Sequence, residues 1–223
     1  GLMLLRGQGT AQDFTEAHYY LTLAAQAGLV KAQFRVAMMH WEGVGLDNFD
    51  DPGPDLLGAA YWLKRAAEGG LAEAQFRLGG MLLVGGEITQ NESWAADYLR
   101  QAAEQGHTAA QDAIGVLYRC GTGVERDYAA AARWFNLAAD KGNAESCFSL
   151  GMMHRQGEGT LRDERLGLHW LRQAAERGHA GAAEELAVMY LTGEGTEIDE
   201  QGAEIWFERA QELVKEGRKA WAR

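Results

Sequence analysis

Glycines recur along this chain at fixed intervals, and the interval decides what it can become. Gly28, Gly70, Gly106, Gly142 and Gly178 each close an Ala-Ala-x-x-Gly string, at spacings of 42, 36, 36 and 36 residues. A second column, Gly7, Gly43, Gly85, Gly121, Gly157 and Gly193, is spaced 36, 42, 36, 36 and 36. Both columns place one six-residue insertion between Gly43 and Gly70. Two independent columns sharing one insertion mark an internal repeat of 36 residues, the signature of a stacked array. Only 2 prolines occur in 223 residues, so the intervals between glycines are free to be helical.

Other columns give the elements. Asp13, Asp55, Asn91, Asp127, Asp163 and Asp199 align, and their side-chain oxygens suit the N-cap of a helix. Seven residues on come Tyr20, Trp62, Tyr98, Trp134, Trp170 and Trp206, followed by Leu21, Leu63, Leu99, Phe135, Leu171 and Phe207. The alanine pair and the glycine then end this second helix of the unit, helix B. The first, helix A, is expected to begin near Ala32, Ala74, Ala110, Ser146 and Ala182, with an apolar column of Val36, Leu78, Ile114, Leu150 and Leu186. Next to it runs a small column, Ala37, Gly79, Gly115, Gly151 and Ala187. A glycine inside a helix costs roughly 1 kcal/mol against alanine, so its recurrence implies a close helix crossing. Each unit is an antiparallel helix pair that cannot bury both faces alone, and the units must stack. The aromatic B column reads as the core, wedged between A helices, and Trp134→Ala is expected to cost ~3–5 kcal/mol. The fold class is all-α, one domain over 1–223 with units at 1–31, 32–73 (carrying the insertion), 74–109, 110–145, 146–181 and 182–223.

The run Ala110-Gln-Asp-Ala-Ile-Gly-Val-Leu-Tyr118, then Gly121-Thr-Gly-Val-Glu-Arg-Asp127, Ala132-Arg-Trp134 and Ala138-Ala-Asp-Lys-Gly142, resembles the Sel-one-like (Sel1-like) repeat. That family is a branch of the tetratricopeptide-repeat superfamily. The resemblance covers nearly the whole chain and implies a right-handed α-solenoid with A helices on its concave face. It also implies adaptor work, often in the bacterial envelope, secretion or signalling. Departures are Gly85-Gly86-Glu87 in place of Gly-x-Gly, and His40 and His154 in a tyrosine column. The last unit replaces Ala-Ala-x-x-Gly with Ala210-Gln-Glu-Leu-Val-Lys-Glu-Gly217, which reads as one longer capping helix. Gly1 falls in the small column of helix A, so the first unit is expected to lack half of that helix, and any signal peptide or lipid anchor would lie upstream.

Carried over by position, the family pattern turns four columns of helix A inward. Their candidate binding residues are Phe34, Met38, Trp41, Phe76, Leu83, Phe148 and Met152, rimmed by Arg35, Arg77, Arg119 and Arg155. Two readings of these columns stand side by side. The aromatics pack the stacked repeats, as apolar residues at helical spacing usually do. Alternatively they anchor an extended or helical peptide, with the arginines facing an acidic segment or a terminal carboxylate.

The remaining features mostly exclude. A net charge of −11 opposes nucleic-acid binding, which rests on neutralising phosphates. No run of 18 apolar residues is present, so no membrane insertion is expected. The insertion Leu46–Asp55 carries Asp47, Asp50 and Asp51 but lacks the alternation of a calcium loop, and reads as a surface loop in which Phe49 docks or stays exposed. His107 and His179 share a loop position where capping explains them, and no histidine spacing implies a metal. Cys120 and Cys147 should lie at opposite ends of neighbouring A helices, roughly 13 Å apart, and remain free thiols. No nucleophile elbow, phosphate loop or dinucleotide fingerprint occurs, so neither catalytic residues nor cofactors are expected. The leading reading is a non-enzymatic scaffold, monomeric or weakly dimeric with Trp221 as a candidate contact, that binds a protein or peptide. A second is an envelope protein contacting polysaccharide or peptidoglycan, favoured by Trp41 and the Asp-rich loop. Envelope, periplasm and cytoplasm all remain open as its location.

Overall fold

The computed structural model describes residues 1–7, 11–46 and 53–221. Every regular element among them is an α-helix: α1 (Leu2–Arg6), α2 (Phe14–Gln26), α3 (Val30–Glu42), α4 (Leu56–Glu68), α5 (Ala72–Val84), α6 (Glu92–Glu104), α7 (Thr108–Cys120), α8 (Tyr128–Ala139), α9 (Ala144–Gln156), α10 (Glu164–Glu176), α11 (Ala180–Thr192) and α12 (Glu200–Trp221). Odd-numbered helices are the A helices and even-numbered ones the B helices. The chain forms two compact units, Gly1–Ala110 and Gln111–Arg223. In the first, α2 packs on α3, α3 on α4, α4 on α5 and α5 on α6. In the second, each helix from α8 to α12 packs on the next.

The N-cap column does what its chemistry requires. Asp13, Asp55, Asn91, Asp127, Asp163 and Asp199 each accept the backbone N–H three residues on, at 2.8–3.0 Å. The A helices begin at Val30, Ala72, Thr108, Ala144 and Ala180, two residues ahead of the start expected from the apolar column. The turn from B to A is the reason. Its glycine takes a φ of 83–93°, and the following residue is already the N-cap. The turn is sealed by a bond from that residue to the carbonyl five positions back, Asn143 N to Ala138 O at 3.1 Å in one instance. The long closing helix is present as α12, 22 residues. The insertion's Asp47, Phe49, Asp50 and Asp51 lie outside the described residues, as does the side chain of Trp221.

The core differs from the expected one by a single column. Of the aromatic B residues only Trp62 is buried; Tyr98, Trp134, Trp170 and Trp206 are half-buried and Tyr20 is exposed. The seed of the core is the next column, with Leu21, Leu63, Leu99, Phe135 and Leu171 at 0–5% exposure. The physical cause is the small column of helix A, which lets the B helix approach at that residue. A Cβ on Gly79 would stand 2.7 Å from Leu99 Cγ, one on Gly115 2.7 Å from the Phe135 ring, and one on Gly151 2.7 Å from Leu171 Cγ. Gly1 meets Leu21 in the same way, at 2.8 Å. The aromatics one step round the helix form the half-wet margin of this contact. The core of the first unit gathers around Leu21, Leu63, Val36 and Leu78, and that of the second around Phe135, Leu150, Leu171 and Leu186.

Candidate functional site

The candidate residues divide between the units. Phe34, Arg35, Met38, Trp41, Phe76, Arg77 and Leu83 belong to the first, on α3 and α5. Arg119, Phe148, Met152 and Arg155 belong to the second, on α7 and α9. Phe34 and Leu83 pack against the first core, and Phe148 and Met152 against the second, so these four are partly structural. Met38 is half-buried and Trp41 is exposed at the end of α3.

Two of the phenylalanines are covered by histidines of the next repeat. Phe76 stacks on His107 with ring centroids 4.7 Å apart, and Phe148 stacks on His179 at 4.3 Å. In both histidines Nδ1 accepts an N-cap bond, from Ala110 N at 3.2 Å and from Ala182 N at 3.0 Å. That leaves Nε2–H to donate to Glu73 at 3.0 Å and to Glu145 at 3.3 Å. The capping role expected for these histidines is therefore real. Their second role, tying a phenylalanine and a glutamate of the preceding helix, needed side chains 34 positions apart to be placed together. Between these two ties, position 112 holds Asp instead of Phe, and Ser146 Oγ donates to Asp112 at 2.6 Å. Burial raises the Asp112 carboxyl, which that bond partly offsets.

The arginines are not a uniform rim. Arg77 Nε donates to Glu73 at 2.6 Å, and its guanidinium lies 6.0 Å from the Phe34 ring centroid. Burial pushes Glu73 up, but its bonds from His107 and Arg77 outweigh this and hold it below the ordinary carboxylate value. Arg155 grips Glu194 with two nitrogens, at 2.9 and 2.7 Å, and also binds Glu185. Arg119 rests 6.0 Å from the Phe135 ring centroid. Arg35 is exposed. It lines, with Phe34, Leu29, Leu21, Ala24 and Glu73, a largely apolar cavity of about 550 Å³ in the first unit. In that cavity candidate residues, a cation and open volume coincide.

Two further features bear on chemistry. Cys120 is exposed, Cys147 buried, and both are free. Among the described residues no group of three or more His, Cys, Asp or Glu is placed to hold a metal ion, and no helix is long and apolar enough to cross a membrane.

Comparison with known proteins accords with this architecture. The Sel1 repeat profile matches residues 1–29, 30–71, 72–107, 108–143, 144–179 and 180–213. A crystal structure of c5321, a protective antigen of uropathogenic Escherichia coli with an SLR fold, is similar at 31% identity and a TM-score of 0.84, over 95% of this chain. The chain spans 44% of that antigen. A Sel1 repeat protein from Oxalobacter formigenes is similar at 27% identity and a TM-score of 0.74, over 94% of this chain and 81% of that one. The immunity protein Pa5087 of Pseudomonas aeruginosa shares the fold at 17% identity and a TM-score of 0.52, over 92% of this chain and 76% of its own. No curated protein matches.

Proposed function

Because the chain belongs to the Sel1 repeat family, whose solenoids of paired helices are interaction scaffolds rather than enzymes, we propose that it binds a protein partner on the face of its A helices. The observation that carries the choice of face is the cavity at Phe34 and Arg35. Its apolar lining suits a hydrophobic anchor, and its size is within the usual range of ligand pockets. Arg35 and Lys31 at its border favour a peptide carrying a carboxylate. For the acidic ligand read from the arginines, Arg35 is the cation beside open apolar volume, while Arg77 and Arg155 hold the protein's own carboxylates and Arg119 lies by the Phe135 ring. Phe76 and Phe148, stacked under histidines, contribute mainly by keeping the A helices in register.

The test is affinity capture with wild type and two variants, Arg35→Glu and Phe34→Ala. Both are expected to lose the captured partner while helical circular dichroism is preserved. An unchanged partner in both variants overturns the A-helix face.

A second reading, binding of envelope polysaccharide, is supported by a different hollow. On the B side of the first unit, Trp94, exposed at 58%, stands with Asp97, Tyr98, Gln101, Lys64 and Glu68 around about 500 Å³. An open indole beside alternating donors and acceptors suits a sugar ring. Glycan-array signal that disappears in Trp94→Ala would favour this reading over the first.

A further inference from the structure

His18 on α2 and His40 on α3 belong to neighbouring helices of the first unit, 22 positions apart, and no spacing motif links them. Their Nε2 atoms nevertheless converge to 3.4 Å, with the rings inclined at 65°. For a hydrogen bond donated by N–H this is long, since such bonds centre near ~2.9–3.0 Å. It is the separation set by one ion between two imidazoles: Zn–N bonds of ~2.0–2.1 Å at a tetrahedral angle place their nitrogens roughly 3.3–3.4 Å apart.

The surroundings fix His40 for that task. Its Nδ1 donates to Asp55 Oδ2 at 2.8 Å, which leaves Nε2, the atom nearest His18, to act as the acceptor or ligand nitrogen. A carboxylate behind an imidazole fixes the orientation of a ligand ring. Asp55 is itself immobilised, because its Oδ1 accepts from Gly58 N at 2.8 Å. A Cβ on Gly58 would collide with both Asp55 Oδ2 and His40 Nδ1, so glycine there makes room for the pair. His18 and Thr22, one turn apart on α2, line a surface hollow of about 720 Å³, and Thr22 Oγ1 is buried with no partner.

The repeat supplies an internal control. His154 stands before Asp163 as His40 stands before Asp55, yet its Nδ1 is buried without a partner. The position equivalent to His18 in that neighbourhood is Ala132. The convergence of two imidazoles is thus not a by-product of the repeat.

We propose that His18 and His40 bind one Zn²⁺ through their Nε2 atoms, with Asp55 as the positioning residue behind His40. Imidazole nitrogens suit this borderline cation.

Calorimetric titration of Zn²⁺ into tag-free protein tests it. Wild type and His154→Ala are expected to take one ion per chain. His18→Ala should lose that binding with its helical spectrum unchanged. Asp55→Asn retains an N-cap acceptor for α4 but loses the charge behind His40, and should weaken zinc by about 10–100-fold. Co²⁺ in place of Zn²⁺ should give visible tetrahedral bands in wild type and none in His18→Ala. Absence of zinc uptake by wild type, or uptake unchanged in His18→Ala, overturns the site and leaves the pair as a hydrogen bond.

Discussion

Three buried glutamines show how much a single side chain depends on a residue far along the sequence. Gln33, Gln75 and Gln111 occupy one repeat position and are 3–4% exposed. Gln75 Nε2 donates to Ala67 O and to Gln101 Oε1, both at 3.1 Å, and its Oε1 accepts from Gln105 Nε2 at 2.7 Å. In the next repeat Lys141 Nζ donates to Gln111 Oε1 at 3.2 Å. Gln33 Nε2 reaches Ala25 O at 3.1 Å, but the equivalent donor position is Gly69, and Gln33 Oε1 is buried without a partner. A buried acceptor left unpaired is costly, whereas a paired one is mildly stabilising. Gln33→Leu is therefore expected to cost about 1 kcal/mol less than Gln75→Leu in urea unfolding. Equal losses would show that Gln33 Oε1 is satisfied in solution. The column is readable in the sequence. Its inequality is not, because the donor belongs to the following B helix and only the packing reveals that Gly69 stands where Gln105 and Lys141 do.

At the scale of helices, the contact between the small A column and the large B column carries the stability. Phe135 is fully buried and Trp134 half-buried. Phe135→Ala is expected to cost ~3–5 kcal/mol, and Trp134→Ala about half of that or less, by chemical denaturation. Reversed magnitudes would restore the aromatic column as the core. Glycines in the small column set up a contest of two effects. Alanine there gains roughly 1 kcal/mol of helix propensity, while overpacking costs ~1–3 kcal/mol. At Gly115 the new methyl would press on the rigid Phe135 ring. At Gly79 it would press on Leu99 Cγ at 2.7 Å and on the Ala95 carbonyl oxygen at 3.2 Å. Gly115→Ala and Gly79→Ala should thus both lower the melting temperature, the overpacking exceeding the gain in helix propensity. The helices, their caps and their turns were legible because each is a local signal repeated in every unit. Which of two adjacent columns is core was not, since Trp134 and Phe135 differ by one 100° step and both look apolar.

Across the whole chain, charge is the largest bias: −11 at neutral pH. Several of its carboxylates are nonetheless held as partners of arginine. The hydrogen bond from Arg155, ahead of burial, holds Glu194 below the ordinary glutamate value of 4.5. A lowered folded value means stability that is complete above the unfolded value and is lost as pH falls through the folded one. Melting temperature is expected to drop below roughly pH 4.5, and Arg155→Gln should be less stable at pH 7 with a shallower acid slope. Identical slopes would remove Glu194 from the account. The same pairs explain why the candidate site was only half readable. Arg35 and Arg77 share one repeat position and Arg119 and Arg155 another, but Glu73, Glu185 and Glu194 lie in other columns and claim two of the four. One bond of the framework has a further consequence. In every unit the amide of the N-cap residue bonds an A-helix carbonyl, Asp127 N to Tyr118 O at 2.9 Å and Asp55 N to His40 O at 2.8 Å, although six extra residues lie before Asp55. The clasp closes on the same carbonyl position across both spans that occur here, and lengthening such a loop adds only ~0.6 kcal/mol per doubling. Each A-to-B loop is thus a splice port, where foreign sequence can enter and leave the register of every helix untouched. The B-to-A turns are only three or four residues long and hold the next helix's N-cap, so novelty in a chain of this design is channelled to the clasped loops.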